Sequence, residues 1–356
     1  MDITATQFFF TRLKRSVAFA LTFLFYVFAA MCTHAQTVTP YAGTGVEGYY
    51  EGDNNDAITA QFSYIGGITI DANNNLYVTD SRNYCIRKID QNGKISVIAG
   101  IPTTAGSTNP LPSGPAGSTA LPSLGTRITL LGSNMYFGYN GFTIGEISAG
   151  NLSFWKPIHT NPGSSLPTAY TFKAYGNSLY LGHSGGISVV DVNTRTLVKT
   201  ITLPGTGQIN TMAIDASGNI FAIDADGALT KVNGATGVVT TLIAKNSDPD
   251  LWVNTGDLDI DQSGNLYFVN SLDYVLKIDG TTFQRTKIYV TRNTFGVKLV
   301  TIAPNGDIFV AHTNRRIYKI AVPSANANQH HHRQHGGNRE PGNASLPSRN
   351  HDERRQ

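Results

Sequence analysis

The sequence predicts an all-β protein, and three features of its composition carry the prediction. Lys and Arg number 27 and Asp and Glu 24, so charged residues make up 14% of the 356 positions, against roughly 25% in soluble domains. So few charges exclude a coiled coil and a chain kept unfolded by its charge. The 36 glycines, 17 Phe and 16 Tyr stand among many Thr, Val and Ile, a balance typical of short strands joined by tight turns.

The formal net charge of +3 comes from the two ends of the chain. Residues 1–35 hold three basic and one acidic side chain, and residues 322–356 hold five basic and three acidic ones, which leaves 19 basic and 20 acidic side chains between them. A nearly neutral body has no overall field that would attract nucleic acid or an anionic membrane. No nucleic-acid partner is therefore predicted.

The N-terminus has the pattern of an export signal. Basic residues at positions 12–15 precede an apolar run over residues 16–32, and small side chains follow at Thr33 and Ala35. Cleavage after Ala35 would make Gln36 the first residue. The alternative is an uncleaved membrane anchor, but a run of 17 residues falls short of the roughly 20 that a spanning helix needs. The pattern predicts a periplasmic, cell-surface or extracellular protein with no stable membrane span after cleavage.

A strand–turn–strand unit recurs along the chain and decides the architecture. The first apolar residue of the second strand marks each copy: Leu76, Met135, Leu179, Ile220, Leu266 and Ile308. Successive marks are 59, 44, 41, 46 and 42 residues apart, close to the roughly 40–50 residues of a four-stranded propeller blade. The sequence therefore predicts a six-bladed β-propeller.

The two ends of the repeat array complement each other. The sixth unit shows three strands, near residues 297–303, 307–312 and 316–321, and lacks a fourth. Residues 37–42 resemble the fourth strand of the first unit, at 95–100. We expect this N-terminal strand to complete the last blade and so to remove two exposed sheet edges.

Three segments are therefore predicted. Residues 1–35 form a signal peptide and residues 36–321 the propeller. Residues 322–356 are rich in His and Arg and contain almost no large apolar side chain. Because such a segment cannot fold by burying apolar surface, it is predicted to be a disordered polar tail.

The first unit carries a specific motif set. Its members are Tyr41-Ala42-Gly43-Thr44-Gly45, Ala60-Gln61-Phe62, Gly66-Gly67-Ile68, Asp71, Leu76-Tyr77-Val78-Thr79-Asp80, Asn83 and Ile86-Arg87-Lys88-Ile89. On these residues the stretch 38–90 resembles the NHL-repeat family of six-bladed propellers, especially its exported bacterial members. The resemblance implies a fold more than an activity, because propellers serve as enzymes, scaffolds and receptors.

The second strand of each predicted blade ends on the face that also holds the connections between blades. Its end residues are Asp80, Tyr139, His183, Asp224, Asn270 and His312. These six residues form a ring around the face, and all but Tyr139 are candidate ligands for a divalent metal. The six could also form a polar cup for a ligand. The alternative, which the residue types favour, is that each side chain caps its own turn.

Two enzyme classes on related propellers were compared with the sequence. Resemblance to gluconolactonase-like propellers implies a metal held at the entries of the inner strands, where this chain has Gly66, Asn210 and Gly256; only Asn210 is a possible ligand. Resemblance to the peptide-amidating lyase implies three channel histidines, and His159 is predicted at the end of an outer strand instead. No Ser, Cys and His arrangement with nucleophile spacing is present.

Binding of a protein or carbohydrate ligand is the function that the sequence favours. The face with the strand ends is where the repeats differ, and divergent Tyr and Arg on a rigid frame are typical of recognition surfaces. The candidate ligand-binding residues are Arg82, Asn83, Tyr84, Tyr139, Tyr274 and Arg315. A metal-dependent lactonase, esterase or lyase is the main alternative, and a purely structural surface repeat is another. No cofactor is predicted apart from the divalent metal of the first alternative.

Overall fold

The fold was determined from a computed structural model of the chain. It describes residues 37–125, 127–140, 143–159, 166–204, 207–251, 256–270, 272–290 and 296–321. The predicted signal peptide at 1–35 and the predicted tail at 322–356 lie outside these residues. Within the described residues, none of the helices is long and apolar enough to cross a membrane.

The strands form successive antiparallel sheets, and each sheet is one blade. Strand β1 (Thr37–Ala42) precedes blade 1, which contains β2 (Ile65–Ile70), β3 (Leu76–Asp80), β4 (Cys85–Ile89) and β5 (Ile95–Ala99). Blade 2 contains β6 (Gly114–Pro115), β7 (Ile128–Leu131), β8 (Asn134–Tyr139), β9 (Thr143–Ser148) and β10 (Asn151–Trp155). Blade 3 contains β11 (Thr171–Tyr175), β12 (Ser178–His183), β13 (Gly186–Asp191) and β14 (Leu197–Thr202).

The remaining blades repeat this order. Blade 4 contains β15 (Ile209–Ile214), β16 (Ile220–Asp224), β17 (Leu229–Val232) and β18 (Val239–Ile243). Blade 5 contains β19 (Asp257–Ile260), β20 (Leu266–Val269), β21 (Tyr274–Ile278) and β22 (Arg285–Tyr289). Blade 6 contains β23 (Val297–Ile302), β24 (Ile308–His312) and β25 (Ile317–Ala321). The described residues thus form a six-bladed β-propeller, as predicted.

Strand β1 closes the ring as the fourth strand of blade 6. It pairs antiparallel with β25 from Thr37 opposite Ala321 to Ala42 opposite Ile317, with an irregularity after Pro40. Pro40 is tolerated because β1 is an outer edge strand, where a missing N–H leaves no ladder bond unmade. The predicted closure of the propeller by residues 37–42 is confirmed.

The apolar core of the described residues consists of clusters at the junctions between neighbouring blades. At the junction of blades 6 and 1, Phe309 and Leu299 pack in one cluster with Val78 and Leu76. Five further clusters fill the other junctions. Burial between radial blades fixes their angles, and therefore fixes which residues meet at the entries of the inner strands.

The hairpin between the first two strands has the same Asp-based turn in blades 1, 4 and 5. In blade 1, Oδ1 of Asp71 accepts hydrogen bonds from the backbone N–H groups of Asn73 (2.9 Å) and Asn75 (2.8 Å). Asp215 and Asp261 do the same in blades 4 and 5. These turns lie at the end of the blades where the inner strands finish. We interpret their repetition within the chain as structural.

Candidate functional site

The opposite face of the propeller, here called the entry face, is the one on which inner strands begin and second strands end. Strand pairing places Ile65 opposite Asp80 in blade 1 and Val297 opposite His312 in blade 6. The predicted ring residues therefore lie on the entry face, as their positions at strand ends require.

The two acidic members of the ring are bound to their own surroundings. Asp80 accepts hydrogen bonds from the backbone N–H groups of Ser63 (3.0 Å) and Tyr64 (3.3 Å) through Oδ1. Asp224 accepts them from the N–H groups of Asp226 (3.0 Å) and Ala228 (2.9 Å). Burial raises the pKa of both carboxyl groups, against the lowering effect of these hydrogen bonds. Asp224 therefore caps its own turn, as the capping interpretation predicts. Asp80 makes no cap hydrogen bond to the turn that follows it, and instead binds backbone N–H groups of the loop before β2.

The other candidate metal ligands are also engaged locally. The ring nitrogens of His183 lie 2.8 Å from the carbonyl oxygen of Ser184 and 3.0 Å from Oγ of Ser188. The amide of Asn270 donates to the carbonyl of Asp250 (2.9 Å). His312 is buried, which lowers its pKa, and its ring packs edge-on against Tyr318.

These side chains do not gather into a metal centre in the part of the chain that the structure describes. That part contains no group of three or more His, Cys, Asp or Glu side chains placed to hold a metal ion. Asp80, His183, Asp224, Asn270 and His312 thus share a face of the propeller and not a coordination sphere.

Arg127, which the sequence analysis did not select, reaches across the central channel. It stands one residue before β7 in blade 2, and its Nη2 donates to the carbonyls of Asn210 in blade 4 (3.0 Å) and Gly256 before blade 5 (2.8 Å). Its Nη1 lies 3.6 Å from Oδ1 of Asp257. A similar pair, Lys173 with Asp259 at 3.8 Å, joins blades 3 and 5.

These channel residues do not fit a metal of the gluconolactonase type. Asn210, the candidate ligand at an inner-strand entry, accepts from Arg127 through its carbonyl and from Nε2 of Gln208 (2.6 Å) through its side-chain oxygen. A divalent cation at this entry would also lie against the guanidinium charge in a poorly solvated place, which is strongly unfavourable. The only feature of the sequence that could have indicated a channel role for Arg127 is its position immediately before an inner strand.

The loop from β1 to β2, residues 43–64, builds the entry face of blade 1. Arg87 of β4 holds the loop, because its guanidinium donates to the carbonyls of Gln61 (2.7 Å) and Tyr50 (2.9 Å). The loop begins at Gly43, whose φ of 86° and close approach to the carbonyl of Arg315 leave no room for a side chain. The loop is thereby fixed against the β24–β25 turn of blade 6.

A cavity of about 310 Å³ opens where this loop meets blade 6. Here it is called the blade 6–blade 1 cleft, and it is lined by Ser63, Tyr64, Ile65, Lys298, His312, Thr313 and Arg315. Two residues of the predicted site, His312 and Arg315, are in this lining. Tyr64 and Lys298 were missed, because neither belongs to the repeated motif.

Two of the lining residues, Ser63 and Arg315, contact the carboxylate of Glu47, which lies at the rim of the cleft. Glu47 forms an ion pair with Arg315 and lies 3.5 Å from Nη1 of Arg82. Oγ of Ser63 donates to the same carboxylate (3.2 Å), and Nε of Arg315 donates to the carbonyl of Ser63 (2.9 Å). Two Arg residues from blades 1 and 6, chosen from sequence as separate candidates, therefore meet at Glu47.

Tyr64 links the same group to Lys298. The Lys298 ammonium lies 3.8 Å from the centre of the Tyr64 ring and is hydrogen-bonded to its hydroxyl. The Arg82 guanidinium lies 5.6 Å from the same ring. Cations at such distances are attracted by the negative face of the ring. The cleft thus contains Arg315, Lys298 and the Tyr64 ring, and Arg82 and Glu47 contact these residues from outside the lining.

The other predicted ligand-binding residues lie apart from the cleft or serve the fold. Asn83 is buried and donates to Oδ2 of Asp80 (2.7 Å). Tyr84 has a left-handed backbone and ends the turn before β4. Tyr139 is buried beside Phe154 and lines a second cavity of about 120 Å³. These placements make Asn83 and Tyr139 parts of the core as well as of the face.

Tyr274 requires a correction. It was predicted as a candidate ligand-binding residue, but it is only 7% exposed and belongs to the core between blades 4 and 5. Its hydroxyl donates to Oδ1 of Asp250 (2.7 Å), and burial followed by this hydrogen bond raises the pKa of Tyr274 to about 12. It is the first residue of β21, and its ring packs inward with the blade 4–blade 5 core while its hydroxyl meets Asp250.

Comparison with known proteins agrees with this architecture. Residues 62–89 match the NHL repeat, and no curated protein sequence matches the chain significantly. A streptogramin B lyase structure is similar with a TM-score of 0.56 at 12% identity, over 80% of this chain and 97% of that one. A Bacteroides thetaiotaomicron protein of unknown function gives 0.58 at 15% identity, over 81% and 76% of the two chains.

A Xanthomonas campestris gluconolactonase is similar with a TM-score of 0.54 at 12% identity, over 74% of this chain and 87% of that one. At these identities the similarity shows a shared fold and not a shared activity. The matched repeat covers β3 and β4 of blade 1, including the Asp80 and Arg87 pair that holds the loop of the cleft. The chain is therefore a six-bladed β-propeller whose first blade carries an NHL repeat.

Proposed function

We propose that this protein is an interaction module that binds a protein or carbohydrate ligand at the blade 6–blade 1 cleft. The observation that carries the proposal is the convergence of Arg82, Arg315 and Lys298 around Tyr64 and Glu47 beside a cavity. Arg and Tyr dominate binding energy at interfaces, because their large side chains can form both apolar contacts and hydrogen bonds. The frame beneath them is rigid, so little ordering is needed on binding.

The partial exposure of these side chains supports the proposal. Arg82 is 65% exposed, Glu47 48% and Arg315 30%, so a ligand could reach all three. Exposed ion pairs of this kind contribute only about 0–1 kcal/mol to stability. A structural role therefore accounts poorly for two Arg residues from opposite ends of the chain directed at one carboxylate.

The test uses the protein on printed arrays of glycans and of peptides. Wild-type protein should bind at least one ligand in a concentration-dependent way, and the double variant Arg82→Ala/Arg315→Ala should lose that binding. The matched control is Lys199→Ala/Lys245→Ala, which removes two positive charges from exposed positions in blades 3 and 4. Equal binding by the Arg variant and the control would contradict the proposed site.

The enzyme alternative is tested in parallel. Lactone and ester hydrolysis is measured with and without a chelator, together with the metal content of the purified protein. Hydrolysis that the chelator abolishes, with a stoichiometric metal and no array binding, would favour the metal-dependent lactonase or esterase over the interaction module.

We also propose that the protein is exported and begins at Gln36 after cleavage. The support is the basic segment, apolar run and small residues at positions 12–35. N-terminal sequencing of protein recovered from an exporting host should begin at Gln36, with allowance for a cyclised glutamine. Recovery of the full-length chain in the membrane fraction would contradict export with cleavage.

A further inference from the structure

The blade 6–blade 1 cleft has an excess of positive charge at its rim. Arg82, Arg315 and Lys298 lie within contact distance of Glu47 or Tyr64, and the carboxylate of Glu47 is the acidic partner shared by the two Arg residues. Arg316 adds a fourth cation nearby, held by its hydrogen bonds to the carbonyl of Thr44. The acidic side chain beneath the cleft, Asp80, is buried and already faces Arg87.

Glu47 occupies the place that an external carboxylate would take. Its two oxygens contact different guanidinium groups, Arg82 through Oε1 and Arg315 through Oε2. Its side chain is half exposed, while its backbone is fixed by a bridge to Phe62. A carboxylate presented by a ligand can therefore share or replace these contacts without a change in the backbone. Charge-assisted hydrogen bonds from Arg to a carboxylate are the strongest that such a rim can offer.

The size and lining of the cavity indicate what carries that carboxylate. A volume of about 310 Å³ is at the lower end of the range for small-molecule sites, and is far smaller than the surface that a folded protein partner covers. Hydroxyl groups of Ser63, Tyr64 and Thr313 line it. Oγ of Ser63 and the hydroxyl of Tyr64 already bond to Glu47 and Lys298, but a hydroxyl can both donate and accept. A sugar ring can do the same and so exchange further hydrogen bonds with them, whereas a peptide carboxylate can only accept.

We infer that the cleft recognises a sugar acid, a carbohydrate unit that bears a carboxylate, with Arg82 and Arg315 as its anion partners and Glu47 as an internal competitor. The inference rests on the proposed binding function and specifies its ligand class. It predicts effects of opposite sign at two contacting residues, because removal of the competitor should strengthen binding and removal of a partner should weaken it.

The experiment is calorimetric titration with three probes: digalacturonate, its neutral methyl ester, and a tetraglutamate peptide. Wild type should bind digalacturonate and should bind the ester at least about 10-fold more weakly, since the ester cannot form charge-assisted hydrogen bonds through a carboxylate. Glu47→Gln, which keeps the shape of the side chain, should bind digalacturonate roughly 2- to 5-fold more tightly. Arg315→Ala should bind it at least about 10-fold more weakly.

Arg82→Ala guards against a folding effect, because Arg82 is the most exposed of the three and packs only at the rim. It should weaken digalacturonate binding without a change in melting temperature. Tighter binding of tetraglutamate than of digalacturonate, or equal binding of digalacturonate and its ester, overturns the sugar-acid inference. If that binding is still lost in the Arg variants, the proposed interaction module stands. Binding of digalacturonate that is weakened by Glu47→Gln overturns the competitor role. Absence of binding to all three probes, together with empty arrays, overturns both proposals.

Discussion

Replacement of Arg87 by Ala is expected to destabilise the propeller more than most single substitutions can. Both Arg87 and its partner Asp80 have side chains that are 0% exposed, with Nη1 and Oδ2 3.5 Å apart. The guanidinium also donates to the carbonyls of Gln61 and Tyr50. Its removal leaves a buried carboxylate without its counter-charge and takes one donor from each carbonyl, although the Tyr50 carbonyl keeps the backbone N–H of Gln61 (3.1 Å).

The magnitude follows from these losses. Removal of one partner of a buried ion pair costs about 3–5 kcal/mol. Asp80 keeps its hydrogen bonds from Ser63, Tyr64 and Asn83, which moderates the loss. We therefore expect a loss of about 4 kcal/mol in the free energy of unfolding, which corresponds to a fall of roughly 8 °C in Tm for a domain of this size.

The pH dependence separates the charge effect from a simple cavity. Burial raises the pKa of Asp80 above its ordinary value, and Arg87 opposes that rise. Without Arg87 the pKa of Asp80 in the folded state should rise further, so folding would favour the protonated carboxyl. The penalty should therefore be complete above the folded-state pKa of Asp80 and should shrink as the pH falls through it toward the ordinary Asp value of about 3.9.

The assay is denaturant unfolding of wild type, Arg87→Ala and the control Lys88→Ala between pH 4 and pH 8. Lys88 is the next residue on β4, half buried, with its ammonium 6.0 Å from the Tyr77 ring, so its loss should cost less than about 1 kcal/mol. A loss below about 1 kcal/mol for Arg87→Ala, or a larger loss that is equal at every pH, would refute the reasoning.

Three further predictions concern closure, the channel and the corrected residue. Deletion of residues 37–43 should lower the free energy of unfolding measured by calorimetry by several kcal/mol, because β25 loses its whole partner strand. Deletion of residues 322–356 should change it little. A larger loss on deletion of 322–356 than on deletion of 37–43 would contradict the closure. Arg127→Ala should lower the free energy of unfolding by about 2–4 kcal/mol and Arg127→Lys by less, since both lose the paired hydrogen bonds to two carbonyls but only Ala removes the charge. Equal stability of wild type and both variants would show that Arg127 does not stabilise the contact between blades 2, 4 and 5. In denaturant unfolding, Tyr274→Ala should lower the free energy of unfolding by about 3–5 kcal/mol and Tyr274→Phe by about 1 kcal/mol. An Ala variant as stable as wild type would contradict the burial of Tyr274.

Local patterns let the sequence predict the blades and their closure. Alternating apolar residues on either side of an Asp-based turn specify a hairpin within about a dozen residues, and the turn at Asp71 forms as that pattern predicts. The missing strand of blade 6 was identifiable because residues 37–42 resemble the fourth strand of blade 1. Both inferences compare short segments, so neither needs the position of a distant residue.

Divergence of the repeats at the strand ends selected Arg82 and Arg315 as ligand-binding candidates, and the same argument selected Tyr274, which is buried. Divergence marks a position in the blade, but it does not tell whether the side chain turns to solvent or into the junction between blades. Tyr274 turns into that junction and meets Asp250. Its neighbour in the fold, and not its place in the repeat, decides its exposure.

Only the tertiary structure decided which charges meet. Arg315 reaches Glu47 across 268 residues of sequence, and Arg127 reaches Gly256 across 129. The sequence by itself determined six blades and the face on which the variable residues lie, because hairpin pairing and turns depend on neighbours along the chain. It indicated the closure by the resemblance of residues 37–42 to a fourth strand, although the pairing joins opposite ends of the propeller sequence. The blade 6–blade 1 cleft and the contacts of Arg127 across the channel depend on the angles between the blades. Those angles are set by side-chain packing at six junctions among the described residues.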